Sequence, residues 1–286
     1  MSKILITGAS GFIGRALSKK LSALSGELIL LSSAHGDITK AATLEPYSKV
    51  AISHLFHLAG RTFSPDSWHS PAAFYTVNML GTTNVLEFCK WRGTAITFVN
   101  AHVHGHPRNL PVPESCKPSP RNPYALSKHL AKEVCEFYAR AHDLAITTLR
   151  PFNAYGKEQE QKFLVPTIIR QALTEERIVV EDLLPKRDYV FLDDLVDALV
   201  ATLAPPKGHR VYNVGSGLSH SVKDVINVVQ NVANTNKEVI SRNQVRENEL
   251  MDVVADITKA KNELGWQPKY SLRAGIENLV QFEREK

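Results

Sequence analysis

The sequence predicts an α/β protein in which a doubly wound parallel sheet is followed by a smaller C-terminal α/β lobe. Over the first two hundred residues, short continuous apolar runs alternate with longer segments of helical spacing, as in a parallel sheet that is buried on both faces. A glycine-rich turn directly follows the first apolar run. Beyond about residue 157 short elements are separated by proline, glycine and polar residues, which indicates a second lobe.

The apolar runs are the expected strands of the sheet. They are Lys3–Thr7, Glu27–Leu31, Leu55–Leu58, Thr97–Val99 and Ile146–Leu149. Parallel strands need right-handed crossover connections, and the ligands of such sheets bind at the carboxyl ends of the strands. We therefore expect a first domain over residues 1–156 that also takes back roughly 187–217, and a substrate-binding lobe interleaved with it over 157–286.

Composition limits the function classes. The 286 residues include 34 Lys and Arg against 29 Asp and Glu, a net charge of +5, and these charges are scattered rather than clustered. Clustered charge would favour nucleic-acid binding, whereas a mild positive balance suits an anionic small substrate. Three cysteines without a CxxC pair indicate a reducing compartment. With no apolar run near the roughly 18–20 residues that cross a bilayer, we expect a cytoplasmic protein without a membrane partner.

The turn after the first strand has the glycine spacing of a dinucleotide-binding loop. Gly8, Gly11 and Gly14 are three residues apart in TGASGFIG, between an apolar strand and the helical segment Phe12–Leu24. Glycines let the backbone approach a pyrophosphate, and a helix N-terminus offers free N–H groups and a positive dipole end. In this context the spacing predicts a Rossmann-type site rather than a glycine turn that serves packing alone.

The end of the second strand bears on the identity of the cofactor. An acidic residue there normally bonds the adenosine ribose of NAD, but here the strand ends in Ser32 and Ser33. A serine does not repel a 2′-phosphate as a carboxylate would, and Arg15 and His35 are candidate phosphate partners. The sequence therefore predicts NAD(P) and leaves NADP open, with Asp37 as a candidate for contact with the adenine.

Tyr124 and Lys128 form the candidate acid/base pair. They lie four residues apart at the start of a predicted helix and therefore share a face, and Pro123 suits the first helical turn. A lysine cation beside a phenol favours the phenolate, so that the tyrosine could act as a general acid/base near neutral pH. Spacing alone would equally describe an ordinary surface pair, since such pairs are common on helices.

The order of the motifs resolves that ambiguity. TGxxGxxG, HLAG (57–60) and YxxxK follow one another as in short-chain dehydrogenases/reductases. Further matches extend the likeness along almost the whole chain: 77–87, 149–156, 163–173, 187–199, 211–217 and 255–268. The chain resembles the extended branch of that superfamily, the NAD-dependent epimerases/dehydratases that modify nucleotide sugars. The resemblance implies hydride transfer at C4 of a nucleotide-diphosphate sugar, in the manner of the nucleotide-sugar 4-epimerases.

The resemblance also implies the roles of single residues in catalysis and cofactor binding. Tyr124 would be the catalytic acid/base, while Lys128 would hold the nicotinamide ribose and lower the pKa of the tyrosine. NAD is the cofactor that the family implies. Its binding residues would be Gly8, Ser10, Gly11, Phe12, Ile13, Gly14, Ser32, Asp37, Ile38, Leu58, Ala59, Gly60, Tyr124, Lys128 and Pro151.

Four further residues would bind the substrate. By resemblance, Asn153 and Arg187 hold the nucleotide diphosphate, while Arg246 and Glu249 in VRENEL grip the diphosphate and a nucleotide ribose. Arginine suits this role, because its guanidinium binds phosphate oxygens bidentately. An isolated charged residue of this kind is otherwise most often a solvated surface residue.

The stretch FVNAHVHG departs from the family's pattern. Asn100 stands where the family usually has a serine or threonine that bonds the sugar oxygen and relays protons to the tyrosine. An amide can donate to a ketone oxygen but cannot relay a proton, which a carbonyl reduction would tolerate.

Ala101 and His102 replace the Asp-Glu pair of the family's dehydratases, so a 4,6-dehydratase is not expected. His102 is a candidate extra acid/base for C3 or C5 epimerisation, although a cleft-lining or structural histidine is the commoner case.

Alternating histidines follow Asn100. His102, His104 and His106 would share one face of a strand, but Pro107 follows and no acidic or thiol ligand is nearby in the sequence. We therefore expect no metal site, because structural and catalytic metals need a fuller ligand set.

Three functions stay open on the sequence alone, and we place the epimerase slightly ahead of the reductase. The whole-chain resemblance favours an epimerase that keeps its NAD, whereas Ser32 and Asn100 favour an NADPH-dependent 4-keto-6-deoxysugar reductase. A non-catalytic dinucleotide-binding sensor or scaffold is the alternative of another class, and the intact Tyr124 and Lys128 argue against it. By analogy with the family we expect a homodimer that packs through the helices Ala72–Arg92 and Tyr124–His142.

Overall fold

The computed structural model describes residues 3–24, 27–100, 109–204, 207–244 and 250–286. Their contacts separate into two compact units. The first unit comprises the described parts of 1–105, 114–151 and 196–213, and the second those of 106–113, 152–195 and 214–286. No helix of these described ranges is both long and apolar enough to cross a membrane.

The described elements alternate as the sequence pattern predicts. The strands are β1 Lys3–Thr7, β2 Leu28–Leu31, β3 Ile52–His57, β4 Ala95–Val99, β5 Ile146–Pro151, β6 Asn153–Tyr155, β7 Arg177–Val180, β8 Lys186–Phe191, β9 His209–Val214, β10 Ser219–Ser221, β11 Glu238–Ser241 and β12 Asp252–Val253. The helices are α1 Phe12–Ala23, α2 Ser64–His69, α3 Pro71–Tyr75, α4 Gly81–Cys89, α5 Pro123–His142, α6 Leu164–Thr174, α7 Leu192–Ala201, α8 Val222–Ala233, α9 Thr258–Leu264 and α10 Leu272–Arg284. A π-helical turn, Thr76–Leu80, joins α3 to α4.

The first unit is built on a six-stranded sheet with the order β2-β1-β3-β4-β5-β9. The pairs β1–β2, β1–β3, β3–β4 and β4–β5 are parallel, which is the predicted doubly wound arrangement. The strand order reverses between β1 and β3, and ligands of such sheets bind at that switch point. The glycine loop that follows β1 lies there.

Apolar burial explains why these strands form the centre of the first unit. Leu5, Leu55, Phe98 and Ile146, one from each of four neighbouring strands, are almost fully buried in a single cluster with side chains of α4 and α5. Each such side chain contributes roughly 1.5–3 kcal/mol through burial. The core therefore fixes the sheet and, with it, the shared edge at which the parallel strands end.

Helix α5 begins where the sequence predicts. The Asn122 side chain caps it by accepting a hydrogen bond from Ala125 N at 2.7 Å, and Pro123 occupies the first turn. Asp143 ends the helix in the left-handed conformation, at φ 52°. These local signals place Tyr124 in the first turn of a 20-residue helix.

The second unit is centred on β8. This strand pairs antiparallel with β10 and parallel with β6 and β12, while β7 and β11 form a separate parallel pair. Helices α6, α8 and α10 pack on one another around a second apolar cluster. Because β8 is paired entirely within this unit, the stretch that returns to the first unit is 196–213, shorter than the 187–217 expected from the sequence.

Candidate active site

The glycine loop is shaped for a close approach of the backbone. Gly8 has a φ of +72°, and a Cβ on it would lie 2.6 Å from Ala59 N. A Cβ on Gly14 would lie 2.8 Å from Ala9 Cα. No described side chain caps the N-terminus of α1, so its first N–H groups are available to an anion. These features fit the pyrophosphate of a dinucleotide.

The predicted cofactor residues converge on one edge of the sheet. They lie at the carboxyl ends of β1, β2, β3 and β5, or at the start of α1 or α5. This set comprises Gly8, Ser10, Gly11, Phe12, Ile13, Gly14, Ser32, Asp37, Ile38, Leu58, Ala59, Gly60, Tyr124, Lys128 and Pro151. Ala59 N donates to Thr7 Oγ1 at 3.3 Å, and a Cβ on Gly60 would lie 3.6 Å from Lys128 Nζ. The segment after β3 therefore lies between the glycine loop and the acid/base helix.

The end of β2 carries hydroxyl and imidazole groups where an NAD enzyme has its carboxylate. Ala9 N donates to Leu31 O at 3.0 Å, which places the glycine loop beside this end. Ser32 Oγ lies 3.0 Å from His35 Nδ1, and Arg15 Nη1 donates to Ser10 O at 2.5 Å. Ser32 and His35 therefore contact each other at this end, while Arg15 contacts the backbone of the glycine loop.

Asp37 is engaged in its own turn. Its Oδ1 accepts a hydrogen bond from Thr39 N at 3.0 Å, and this bond lowers the pKa of the carboxyl group. Ile38 O accepts from Asn84 Nδ2 at 3.0 Å, and the Ile38 side chain lies against Gly81. This turn is thus anchored to α4 with a charged carboxylate at its exposed edge.

Lys128 is buried and its ammonium is fixed by the sheet. Its Nζ donates to Val99 O at 2.9 Å and lies 5.0 Å above the centre of the Phe98 ring. Burial lowers the pKa of Lys128 to about 8. The ammonium is therefore directed at the end of β4, beside Gly60.

Tyr124 corrects one expectation from the sequence. The side chain is half-buried, and its ring packs edge-to-face against the ring of Phe74, with 6.1 Å between the ring centroids. Burial raises the pKa of Tyr124 to about 12, so the expected lowering by Lys128 is not what this geometry produces. The physical reason is that desolvation of the phenol outweighs the attraction of an ammonium that is itself buried and turned toward Val99.

Asn100 lies directly after β4 with its backbone fixed. Asn100 N donates to Leu149 O at 2.8 Å, and the residue is only 3% exposed. Its side-chain Nδ2 and Oδ1 have no hydrogen-bond partner within the described part of the chain. A buried unpaired amide is costly, so this group is poised to bind a polar ligand.

The substrate residues predicted by resemblance fall partly within the described chain. Asn153 Nδ2 donates to Asp188 O at 3.1 Å, and Arg187 Nη1 donates to Leu250 O at 2.6 Å. Both residues belong to the second unit. His102, Arg246 and Glu249 lie outside the described residues, as do His104 and His106. Where the chain is described, no cluster of three or more His, Cys, Asp or Glu could hold a metal ion.

Asn78 is a site residue that sequence reasoning missed. It is buried in the π-helical turn, accepts from Arg61 N at 2.8 Å and donates to Arg61 O and to Ser127 Oγ. Ser127 Oγ in turn donates to Tyr124 O at 2.7 Å. The sequence signal that could have indicated Asn78 is a polar residue within the apolar run VNML. Its place in a π-helical turn supports the assignment, because such turns are frequent at functional sites.

Comparison with known proteins adds independent information. A model of the NAD dependent epimerase/dehydratase family matches residues 4–215. GDP-6-deoxy-D-mannose reductase of Pseudomonas aeruginosa is 28% identical over 97% of this chain and 96% of its own length. UDP-glucose 4-epimerase of Mycolicibacterium smegmatis is 30% identical over 99% of both chains.

Solved structures of similar fold include complexes with a nucleotide sugar and with a nicotinamide cofactor. A UDP-glucose 4-epimerase of Thermotoga maritima with UDP-glucose has a TM-score of 0.92, 27% identity and 99% coverage of both chains. A structure of RMD from Pseudomonas aeruginosa complexed with NADPH has a TM-score of 0.91, 27% identity and full coverage of both chains. The predicted fold class is thereby confirmed, and both predicted versions of the reaction occur among the relatives.

Proposed function

This chain belongs to the NAD dependent epimerase/dehydratase family, and from that premise we propose that it is a nucleotide-sugar 4-ketoreductase. Family membership confirms the enzyme class and the nicotinamide cofactor, NAD(P), that the motifs predict. The proposed substrate is a nucleotide-diphosphate sugar with a carbonyl group at C4, reduced to the alcohol. Relatives with reductase and with epimerase names support this substrate class.

The observation that carries the proposal is the buried amide of Asn100, which has no hydrogen-bond partner among the described residues. Its Nδ2 hydrogens can donate to a ketone oxygen and polarise the carbonyl, without acting as a proton relay. An epimerase must remove a proton from an alcohol and later return it, which is where a relaying hydroxyl would serve. A reductase only has to stabilise the oxygen as negative charge develops on it, and a fixed amide does this.

Tyr124 supplies the proton in this scheme. Its pKa of about 12 keeps the phenol protonated at neutral pH, so it is ready to act as an acid. When bound, the reduced nicotinamide supplies the hydride to the carbonyl carbon. The carbonyl π electrons move to oxygen, which takes the proton of Tyr124, and solvent reprotonates the phenolate. Lys128, whose ammonium stays on Val99 O, would hold the nicotinamide ribose.

A direct assay tests the proposal. The purified protein is incubated with nucleotide-4-keto-6-deoxysugars and NADH or NADPH, and loss of reduced nicotinamide is followed together with the sugar product. Stoichiometric oxidation of the cofactor is the expected result. Interconversion of C4 epimers without net use of cofactor would instead identify an epimerase. Mass spectrometry of nucleotide released on denaturation separates the two, because an epimerase retains NAD.

The epimerase is the second candidate, supported by the 30% identity with a UDP-glucose 4-epimerase over 99% of both chains. It would oxidise C4, turn the keto-sugar over and return the same hydride. Tyr124 and Lys128 would serve it equally. Asn100 would then be expected to bind the sugar oxygen only.

A homodimer in the cytoplasm completes the proposal. Helix α5 exposes Leu126 at 37% and Phe137 at 53%, and the neighbouring π-helical turn exposes Leu80 at 40%. Exposed apolar side chains on adjacent helices suit an interface between two copies. Light scattering that finds only monomer would exclude this arrangement, and Phe137→Glu should shift a dimer toward monomer.

A further inference from the structure

His57, the last residue of β3, is buried with both ring nitrogens engaged. It is 1% exposed, its Nδ1 lies 2.7 Å from Thr7 Oγ1, and its Nε2 lies 3.1 Å from Thr82 Oγ1. Thr7 ends β1 and Thr82 lies in α4. The imidazole therefore bridges the strand that leads into the glycine loop and a helix on the far side of β3.

The neighbouring hydrogen bonds fix the direction of each proton. Thr82 Oγ1 donates to Asn78 O at 2.6 Å, so it can only accept from His57, which must carry its hydrogen on Nε2. His57 Nδ1 is then the acceptor for the hydroxyl of Thr7. Thr7 Oγ1 in turn accepts from Ala59 N. The donor of every hydrogen bond in this network is thus known. Because the network ends at the carbonyl oxygen of Asn78, it holds the structure in place and cannot relay a proton.

Burial keeps the ring neutral. Desolvation, with a smaller contribution from the charge of Lys128, lowers the pKa of His57 to about 3. The imidazole is therefore uncharged near neutral pH, where the Nε2–H form persists.

Both ends of this hydrogen-bond network contact the predicted cofactor site. At one end, Ala59 N belongs to the segment that lies against Gly8, where a Cβ would come within 2.6 Å. At the other end is Asn78, whose side chain holds the backbone of Arg61 and, through Ser127, the first turn of α5. The segment 58–61 is thus held at both of its ends by groups that His57 connects.

We propose that His57 is a positioning residue that, through Thr7 and Thr82, sets the segment 58–61 against the glycine loop and the Tyr124 turn so that the nicotinamide cofactor binds in register. The inference needs only the family's cofactor. It does not depend on the sugar or on the direction of the reaction, so it can fail while the proposed function stands.

The chain provides a matched control in His54. This residue lies on the same strand, is 2% exposed, and its Nε2 lies 2.8 Å from Thr97 Oγ1. Burial lowers its pKa to about 4. Thr97 Oγ1 lies 2.6 Å from Thr202 Oγ1, and among the described residues the hydrogen bonds of this second network reach no residue of the predicted cofactor site.

The test compares Thr82→Val with Thr97→Val, which remove one buried hydroxyl from each histidine network. The dissociation constants for NADH and NADPH are measured by calorimetry on the full chain, together with thermal unfolding. Thr82→Val should raise the preferred cofactor's Kd about tenfold, and Thr82→Ser should restore it to within about twofold. Thr97→Val should lower thermal stability but leave Kd within about twofold.

Equal changes of Kd in the two valine variants, or none in Thr82→Val, would show that His57 has only a structural role. Nitrogen-15 NMR of the wild-type protein adds a readout that does not depend on any variant folding. It should show two histidines that stay neutral between about pH 5 and 8, His54 and His57, with the hydrogen of His57 on Nε2. A His57 signal with hydrogen on Nδ1, or one that titrates in this range, would overturn the proposal.

Discussion

Lys128 Nζ donates a hydrogen bond to Val99 O at 2.9 Å, one residue before Asn100. This bond ties the acid/base helix to the end of β4. It places the ammonium of Lys128 and the amide of Asn100, which has no partner among the described residues, at the same strand end. The bond also accounts for the departure from expectation at Tyr124, because the lysine charge is committed to a carbonyl while burial acts on the phenol.

Replacing Tyr124 by Phe should lower turnover far more than it weakens cofactor binding. The phenylalanine keeps the edge-to-face contact with Phe74 but removes the proton donor, and general-acid catalysis is worth about 10²–10⁴-fold. Turnover and cofactor affinity are measured side by side. Undiminished turnover would mean that another group is the acid, while wild-type protein with no turnover on any nucleotide sugar would favour the sensor or scaffold.

Replacing Asn100 by Ala should lower kcat for ketone reduction about 10²–10³-fold, the usual effect of losing one donor to a developing oxyanion. Asn100→Ser tests the same point more finely. The shorter hydroxyl cannot reach as the amide does, so activity should also fall sharply. A large gain in epimerase activity with serine would mean instead that the asparagine is a degraded relay.

The reductase should lose activity as the pH rises above about 8. Lys128 has a pKa of about 8, so its ammonium is present below that pH and lost above it, and kcat/KM should fall about tenfold per pH unit. Lys128→Arg, which stays charged, should remove this limb of the profile. A fall at the same pH in both proteins would assign it to another group.

The lowered pKa of Lys128 also predicts how folding stability changes with pH. The folded-state pKa of Lys128 is depressed below its ordinary value of 10.5, so the unfolded chain binds more protons between about pH 8 and 10.5. The contribution of Lys128 to folding stability should therefore rise with pH across that window. Urea unfolding of wild-type and Lys128→Met protein checks this, and a difference between them that is independent of pH would contradict it.

Replacing Ser32 by Asp should turn the cofactor preference toward NAD. A carboxylate at the end of β2 would repel the 2′-phosphate of NADPH and bond the ribose of NADH. We expect affinity for NADPH to fall at least about tenfold relative to NADH. Direct binding of both cofactors is the measurement, with Ser33→Asp, at the adjacent exposed position, as the control. Unchanged relative affinity would exclude Ser32 from the selection of the cofactor.

Replacing Asp188 by Ala should strongly destabilise the second unit. Its buried carboxylate accepts from Ser216 N and Oγ, Gly217 N and Ala255 N at 2.6 to 3.1 Å. Leaving these donors unpaired should lower the free energy of unfolding by about 3–5 kcal/mol. Asp193→Ala, at an exposed position of the same unit, should change it by less than about 0.5 kcal/mol.

Local signals explain why much of the fold could be predicted. The run Lys3–Thr7 is β1 without any change of boundary, because a short apolar run before glycines has few alternatives to a buried strand. The segment expected at Leu55–Leu58 is Ile52–His57, since the alternation at its start hid three residues of the strand. The sequence did not predict that only residues 196–213 of the later chain belong to the first unit, because strand pairing depends on contacts between distant segments.

The sequence by itself determined the glycine loop and the spacing of Tyr124 and Lys128, because each depends on residues within a few positions of one another. It also determined the family, because the order of such short motifs along the chain can be read without the fold. Only the tertiary structure decided how those groups behave. Burial raises the pKa of the Tyr124 phenol, and the Asn100 amide has no hydrogen-bond partner in the part of the chain that the structure describes. His57 meets hydroxyls that are 50 and 25 residues away. Such effects arise from desolvation and from contacts between distant segments, and neither exists until the chain has folded.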